Sequence, residues 1–286
     1  MIQLYHKTSA EISKIITHLY STSFSIGIKT FNKEFREPIY NIYGFVRIAD
    51  EIVDTFDGYD KACLLKKFRE DTEYAIKTGI STNPVLHSFQ MTVKKYNIDY
   101  ELIDKFLLSM EMDLTNSSYA LKEYDNYIYG SAEVVGLMCL RVFVKNDEKL
   151  FKELKPYAKK LGSAFQKVNF LRDIKSDLED RGRIYLPDVH KVIEINEFNK
   201  ERFEREIEEE FNFALNGILK LPKGVKLGVY LAYIYYKTLF QKLSGKSIAE
   251  IKKERIRISN FTKVGLLIKS YYRLNILNGG LLLEEK

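Results

Sequence analysis

The chain has 286 residues, 45% of them apolar and 29% charged, and its 45 Lys and Arg against 39 Asp and Glu give a net charge of +6. This balance excludes a disordered chain and a collagen-like fibre, and the length is ample for a large buried core. Two cysteines, Cys63 and Cys139, form no C-x-x-C motif and exclude a disulfide scaffold; with no apolar signal segment in MIQLYHKTSAEISKII, a reducing cytoplasm is the expected setting.

Helical periodicity dominates the pattern, and few Gly (15) or Pro (5) interrupt it. In chain order, helices are predicted at Thr8 to Tyr20, Lys33 to Phe56, Asp60 to Lys77, Pro84 to Lys95, Ile98 to Leu114, Glu123 to Phe143, Asp147 to Asp180, Glu197 to Leu219, Val225 to Leu243 and Lys263 to Asn278. The helix at Val225 is apolar nearly all round, as expected of one buried on every side. The breaks between helices are short and no repeat is visible, so residues 1–286 read as a single all-α domain. The longest apolar stretch, Gly228 to Tyr236, is about half of the roughly 20 residues that cross a bilayer, and no integral membrane protein is expected. The four histidines, His6, His18, His87 and His190, share no helical spacing and read as ordinary residues.

Charge is unevenly placed. Lys242 to Arg273 holds nine basic and two acidic residues, a segment of +7 that leaves −1 for the rest of the chain. Such a segment suits a phosphate-bearing substrate or an anionic lipid surface; binding to nucleic acid would leave the buried acids unexplained and is not expected.

Two Asp pairs at i and i+4 are the informative feature. In VRIADEIVD, Arg47, Asp50 and Asp54 share one helix face; in FQKVNFLRDIKSD, Gln166, Asn169, Asp173 and Asp177 stack at steps of three, four and four. Like charges at this spacing destabilise a helix, and these pairs sit among apolar neighbours such as Phe45, Val46, Phe165 and Leu171, so both faces are expected to point inward and to need cations. Carboxylates and an amide without His or Cys suit Mg²⁺, with Mn²⁺ as the alternative ion, and Mg²⁺ is commonly shared with substrate phosphates. Acid–base chemistry of the glycosidase type needs two carboxyl groups rather than four in register with Asn and Gln.

At these residues the sequence resembles the squalene/phytoene synthase family of head-to-head prenyl transferases, most of all the bacterial phytoene synthases. The parts, in order, are Ser21 to Ser25 (STSFS), Arg47 with Asp50 to Asp54 (DEIVD), Met110 to Leu114 (MEMDL), Tyr127 to Ala132 (YIYGSA), Gly136-Leu137-Met138, the second Asp segment, Arg181 to Pro187 (RGRIYLP) and Arg255 to Ser259 (RIRIS). The resemblance implies an all-α isoprenoid-synthase fold around a central cavity, with Asp50, Asp54, Asn169, Asp173 and Asp177 as metal ligands. It implies diphosphate or substrate contacts from Ser23, Phe24, Arg47, Gln166, Arg172, Arg183, Tyr235 and Arg255. Of the hydroxyls Tyr127 and Tyr129, Tyr129 is chosen as the catalytic one. The implied reaction joins two geranylgeranyl diphosphates through a cyclopropylcarbinyl diphosphate to phytoene, without NADPH; the alternative is a squalene or dehydrosqualene synthase acting on two farnesyl diphosphates. A non-catalytic scaffold would be expected to have lost part of the Asp set, and a head-to-tail transferase would show D-D-x-x-D. Glu133 departs from the family pattern, where Gly is usual, and three fates are open to it: solvent, a pair with Arg141, or the polar site. The greasy substrate and product make peripheral contact with the inner face of the cell membrane a further expectation, while the sequence sets no oligomeric state.

Overall fold

The structure, a computed structural model, describes residues 2–116, 118–185, 196–253 and 255–278. Leu186 and Pro187 of the RGRIYLP segment, His190, and Glu254 of the basic segment lie outside the described residues. The elements among the described residues are helical: α1 (Ile2–Tyr20), α2 (Thr22–Lys29), α3 (Lys33–Asp54), α4 (Lys61–Thr78), α5 (Pro84–Lys95), α6 (Tyr100–Thr115), α7 (Leu121–Ile128), a π-turn (Tyr129–Glu133), α8 (Val134–Val144), α9 (Glu148–Glu179), α10 (Glu197–Lys220), α11 (Lys223–Ser244), α12 (Ile248–Ile251) and α13 (Asn260–Asn278).

Local chemistry sets the boundaries. Asp60, Asn83 and Asp147 cap α4, α5 and α9 by accepting backbone N–H groups of the first turn, Pro84 occupies the start of α5, and Gly79 closes α4 with a φ of +79°. Two short helices escape the periodicity. In α2, only eight residues long, Ser21 breaks from α1 and caps the new helix by accepting the Phe24 N–H at 3.2 Å. Helix α12, of four residues, is held by a capping box between Ser247 and Glu250. The segment predicted as one helix from Glu123 to Phe143 is continuous but contains the π-turn, which moves later side chains around the axis.

Two apolar clusters flank the middle of the molecule. One gathers α3, α5, α6 and α8, with Phe45 stacked on Phe89 at 3.9 Å between ring centroids. The other gathers α7, α9, α10 and α11 around Val168, Leu171, Phe203 and Phe211. Leu121–Val144 is long and apolar enough to cross a bilayer by composition, yet 72% of its most apolar window is buried inside the fold, which accounts for its hydropathy. Gly162 lets α9 press against the π-turn: a Cβ there would stand 2.6 Å from the Ala132 carbonyl oxygen. On the far side of α9, Lys160, Ser163 and Lys167 all donate to the buried Glu210 of α10 at 3.0–3.1 Å, closing a polar seam away from the Asp face. His6 and His87 meet across α1 and α5 at 2.7 Å; His87 Nδ1 accepts the Ser81 N–H, so their role is to tie these helices together.

Candidate active site

Between the clusters lie two adjoining cavities. The larger, about 460 Å³, has a mixed wall that includes Ser21, Ser23, Tyr43, Arg47, Asp50, Tyr127, Gln166, Asn169, Arg172, Tyr235, Arg255 and Lys263. The smaller, about 260 Å³, is almost wholly apolar and runs between Ile28, Phe31, Leu140, Phe143, Ile218 and Leu221. They share Phe24, Val46, Ser131, Val135, Phe165 and Gln166 as common wall, so a charged chamber opens on a greasy one. Helix α11 looks apolar all round because one side, through Val229 and Ala232, lines these cavities while the others pack on protein.

Helices α3 and α9 present their Asp faces to each other, and arginines fill the space between them. Arg181 donates to Asp177 Oδ1 at 2.8 Å and lies 3.3 Å from Asp54 Oδ2, joining the two faces. Arg183 donates to Asp54 Oδ1 at 2.8 Å and to the Val53 carbonyl at 3.3 Å. Both arginines reach this gap because Gly182, at φ +66°, turns the chain back over the end of α9, where the Arg183 N–H donates to the Asp177 carbonyl at 2.8 Å. Asp173 is gripped by Arg172 in a two-point contact and by Arg255, whose Nε lies 2.8 Å from Oδ1. Arg47 pairs with Asp50 at 2.7 Å and with Glu51, and its guanidinium covers the Tyr20 ring at 4.3 Å. Among the described residues no three His, Cys, Asp or Glu side chains converge closely enough to hold one ion, and each site carboxylate is engaged by a guanidinium.

These contacts set the protonation behaviour. Burial pushes the Asp50 carboxyl up to about 7, with Asp54 and Asp113 adding repulsion against the pull of Arg47. Burial likewise lifts Asp177 to about 7, aided by Asp173 and opposed by Arg181. Asp173 behaves in the opposite sense: burial works to raise it, but Arg172 and Arg255 outweigh burial and hold it below the ordinary carboxylate value.

Asp113 on α6, not singled out by sequence reasoning, lies at the centre of a second polar knot. It accepts the hydroxyls of Tyr127 at 2.9 Å, Tyr185 at 2.8 Å and Tyr119 at 3.2 Å, and stands 3.8 Å from Arg183. Burial raises it to about 6 despite Arg183 and the tyrosine hydroxyls. A signal was available: Asp113 falls on the Phe106–Met110 stripe of an otherwise apolar helix face. Arg181 was visible only as part of a tail segment; its spacing of four from Asp177 is local, but nothing in the sequence announces its reach to Asp54.

The expected site residues divide as follows. Ser23, Phe24, Arg47, Asp50, Gln166, Asn169, Arg172, Tyr235 and Arg255 line the larger cavity together. Asp54, Asp173 and Asp177 stand behind that wall, locked to arginines, and Asp177 and Arg183 border a small separate crevice with Tyr185. Of the two tyrosines, Tyr127 lines the larger cavity, whereas Tyr129, the one expected to be catalytic, borders neither cavity and lies under Lys159, 4.9 Å from its ring, because residues two apart on a helix point to opposite sides. Glu133 takes none of its three expected fates; it is buried and pairs with Lys159 of α9 at 2.9 Å, while Arg141 binds Asp99 and Glu148. Gly130 and Gly136 both serve helix contact, an added Cβ meeting the Lys105 carbonyl oxygen at 2.6 Å and the Ala158 carbonyl oxygen at 2.9 Å, while Ser131, Ala132 and Gly136 line the apolar cavity.

The family model for squalene/phytoene synthases matches residues 17–190, from the end of α1 through both Asp faces and the arginine pair. The chain belongs to the squalene/phytoene synthase family. Curated relatives in this family include a phytoene synthase of Arthrospira platensis, 30% identical over 63% of this chain and 61% of its own length. A presqualene diphosphate synthase of Sinorhizobium fredii is 30% identical over 60% of this chain and 64% of its own length. A 4,4'-diapophytoene synthase of Staphylococcus haemolyticus is 26% identical over 63% and 61%. The chain thus matches less than two thirds of the length of each of these squalene/phytoene synthase relatives. Among solved structures, a dehydrosqualene synthase in complex with ligand superposes with a TM-score of 0.79 at 19% identity, covering 94% of this chain and 98% of that one. A squalene synthase from Alicyclobacillus acidocaldarius superposes at 0.74 with 20% identity, covering 84% and 94%. The isoprenoid-synthase fold of the squalene synthase type therefore extends beyond the family match into α10 and α11.

Proposed function

We propose that the chain is a Mg²⁺-dependent head-to-head prenyl transferase that joins two geranylgeranyl diphosphates, through a cyclopropylcarbinyl diphosphate, to phytoene, without NADPH. The observation that supports this most is the paired chamber: a cavity lined by Asp50 and by Arg47, Arg172 and Arg255, next to the Asp54–Arg181–Asp177 bridge, shares a wall with an apolar one. Family membership supports the head-to-head reaction class, and the phytoene synthase relatives favour the C20 substrate as the reading proposed here.

The donor types suit a hard divalent cation, although the carboxylates are held by arginines that such an ion would have to displace. Asp50, Asp54, Asp173, Asp177 and Asn169 offer oxygen donors only, and the Asn169 Oδ1 is buried with no hydrogen-bond partner. Mg²⁺ or Mn²⁺ bound there would neutralise charge developing on the departing diphosphate. Arg47, Arg172, Arg255 and Lys263 place positive charge on the wall where that diphosphate would lie, and Ser23 and Gln166 add hydrogen-bonding groups. The isoprenoid tail would pass Phe24 and Phe165 into the apolar chamber, which excludes water from the allylic cation. Aromatic faces border its path: Phe24 stacks on Tyr43 at 5.0 Å and Phe165 on Tyr236 at 4.1 Å, and such faces attract a cation. Tyr127, its hydroxyl given to Asp113, is held in place beside them.

A second reading, two farnesyl diphosphates giving a C30 product, is favoured by the diapophytoene synthase relative and the dehydrosqualene synthase fold match. Purified protein with Mg²⁺ and either diphosphate, with and without NADPH, followed by chromatography of the extracted hydrocarbon, tests both. A C40 hydrocarbon without NADPH is the expected product; a C30 product from farnesyl diphosphate alone establishes the second reading, and no diphosphate release from either substrate overturns both.

A further inference from the structure

Asp113 is a buried acid to which the metal and diphosphate chemistry gives no task. It lies on α6, just past Met110 of the larger cavity's wall. Its Oδ2 accepts the Tyr127 hydroxyl at 2.9 Å, and Tyr127 lines that cavity. Its Oδ1 accepts Tyr185 at 2.8 Å and Tyr119 at 3.2 Å, with Arg183 on the same side at 3.8 Å. Arg183 also donates to the Tyr185 oxygen at 3.2 Å, which directs the Tyr185 proton at Asp113 and sets the polarity of the knot: the hydroxyls give and the carboxylate receives. Tyr185 in turn borders the separate crevice beside Asp177 and Leu178.

The head-to-head reaction must shed protons. Each diphosphate departs with its bonding electron pair, so two prenyl units become one neutral hydrocarbon only by losing a proton from each C1 carbon that joins. We propose that Tyr127 and Asp113 form the route by which such a proton leaves. The C–H bond at C1 breaks, and its electron pair closes the new carbon–carbon bond. The proton passes to the Tyr127 oxygen as the proton of Tyr127 moves along the 2.9 Å hydrogen bond to Asp113 Oδ2. No oxidant or reductant takes part. Tyr127 is the group that meets the hydrocarbon, and Asp113 acts through it; Tyr185, on the other carboxylate oxygen, leads from the acid to the crevice. The route rests on the head-to-head function proposed above and holds for either chain length, because both close the cyclopropane with loss of a proton.

The surroundings of Asp113 suit this task. Burial lifts its carboxyl to about 6 against the pull of Arg183, Tyr185 and Tyr127, with Asp54 of α3 adding repulsion. It is thus a carboxylate at neutral pH that takes a proton more readily than an exposed acid. Asp50 also borders the cavity, but it is paired with Arg47 and belongs to the set that a cation would occupy.

The test uses the purified protein with Mg²⁺ and either prenyl diphosphate, unlabelled or deuterated at C1, and reads the rate of hydrocarbon formation. Asp113→Asn keeps the size of the side chain but cannot take up the proton. It is expected to slow hydrocarbon formation about a hundredfold or more and to raise the deuterium effect above that of the wild type, with unchanged helical CD. Tyr127→Phe is expected to raise the deuterium effect as well, and it carries the test should Asp113→Asn fail to fold. Tyr119→Phe removes a hydroxyl from the same carboxylate at a residue that lines neither cavity, and it is expected to keep the wild-type deuterium effect. A deuterium effect unmoved in both Asp113→Asn and Tyr127→Phe would overturn the route and leave the departing diphosphate as the acceptor. An equal rise in Tyr119→Phe would overturn it too, because the knot would then act only by holding the wall in place. A wild type that releases no diphosphate from either substrate overturns the head-to-head function and the route with it; a wild type that turns over while the variants show an unmoved deuterium effect overturns the route alone.

Discussion

Asp54 on α3 and Asp177 on α9 share the guanidinium of Arg181, which lies 3.3 Å from one and 2.8 Å from the other. A cation bound by both carboxylates must displace that guanidinium. Arg181→Gln is therefore expected to lower the melting temperature of the metal-free protein and to enlarge the rise in melting temperature caused by Mg²⁺. Equal Mg²⁺ responses in the two proteins, read by differential scanning fluorimetry, would show that Arg181 and the ion do not compete.

Removing one of the bridged charges tests the metal assignment directly. Asp54→Asn and Asp177→Asn are each expected to keep the helical CD spectrum and to lose at least about a hundredfold in Mg²⁺-dependent diphosphate release. Turnover near the wild-type rate in either variant contradicts the assignment of that residue.

The two tyrosines make a paired comparison. Tyr127 lines the cavity and donates to Asp113, whereas Tyr129 is outside it. Tyr127→Phe is expected to lower turnover roughly tenfold through loss of a hydrogen bond to a charged acceptor, with Tyr129→Phe close to wild type. The reverse order in steady-state kinetics would restore Tyr129 to the site.

Asp113 predicts a pH effect with a definite sign. Its carboxyl is raised by burial from 3.8 to about 6, so between those values the folded chain holds more protons than the unfolded one, and stability falls as pH rises through that window. Asp113→Asn removes this slope while leaving Asp50 and Asp177 in place. The melting temperature of the wild type relative to the variant is expected to drop by on the order of 5 °C from pH 4 to pH 6.5. A constant difference across that range would mean that Asp113 titrates normally.

Two glycines in helices should respond oppositely to alanine. At Gly162 a Cβ would collide with the Ala132 carbonyl oxygen on the facing backbone, so Gly162→Ala is expected to destabilise by about 1–3 kcal/mol. Gly265 on α13 has nothing within 4 Å of an added Cβ, and Gly265→Ala is expected to stabilise by up to about 1 kcal/mol. Urea denaturation measures both.

What was legible in the sequence follows from what is local. The i and i+4 Asp pairs announce themselves because two like charges on an apolar face need an external reason, and the fold does bring α3 and α9 face to face. The long helices were legible for the same reason, each having a stripe to bury. Helix α2 was missed because eight residues give barely two turns of pattern. The π-turn was missed because one extra residue per turn leaves the apolar count unchanged. Arg181 depends in part on Asp54 and Asp113 on Tyr185 and Arg183, all far away in the sequence, and the choice between Tyr127 and Tyr129 depends on which side of the helix faces the cavity. Glu133 pairs with Lys159, 26 positions on, across a helix contact that no spacing rule contains.

The arginines on the Asp faces bear on how the molecule comes into being. Each acid that would meet an ion is already neutralised by Arg47, Arg172, Arg181, Arg183 or Arg255 from within the chain. With the acids paired inside the chain, folding is expected not to wait for the proposed metal, in contrast to small domains whose ligands stay unfolded until an ion arrives. If the proposed ion is Mg²⁺, a chain made under magnesium starvation should still reach its architecture and survive chelation as a folded reserve that the returning ion can load.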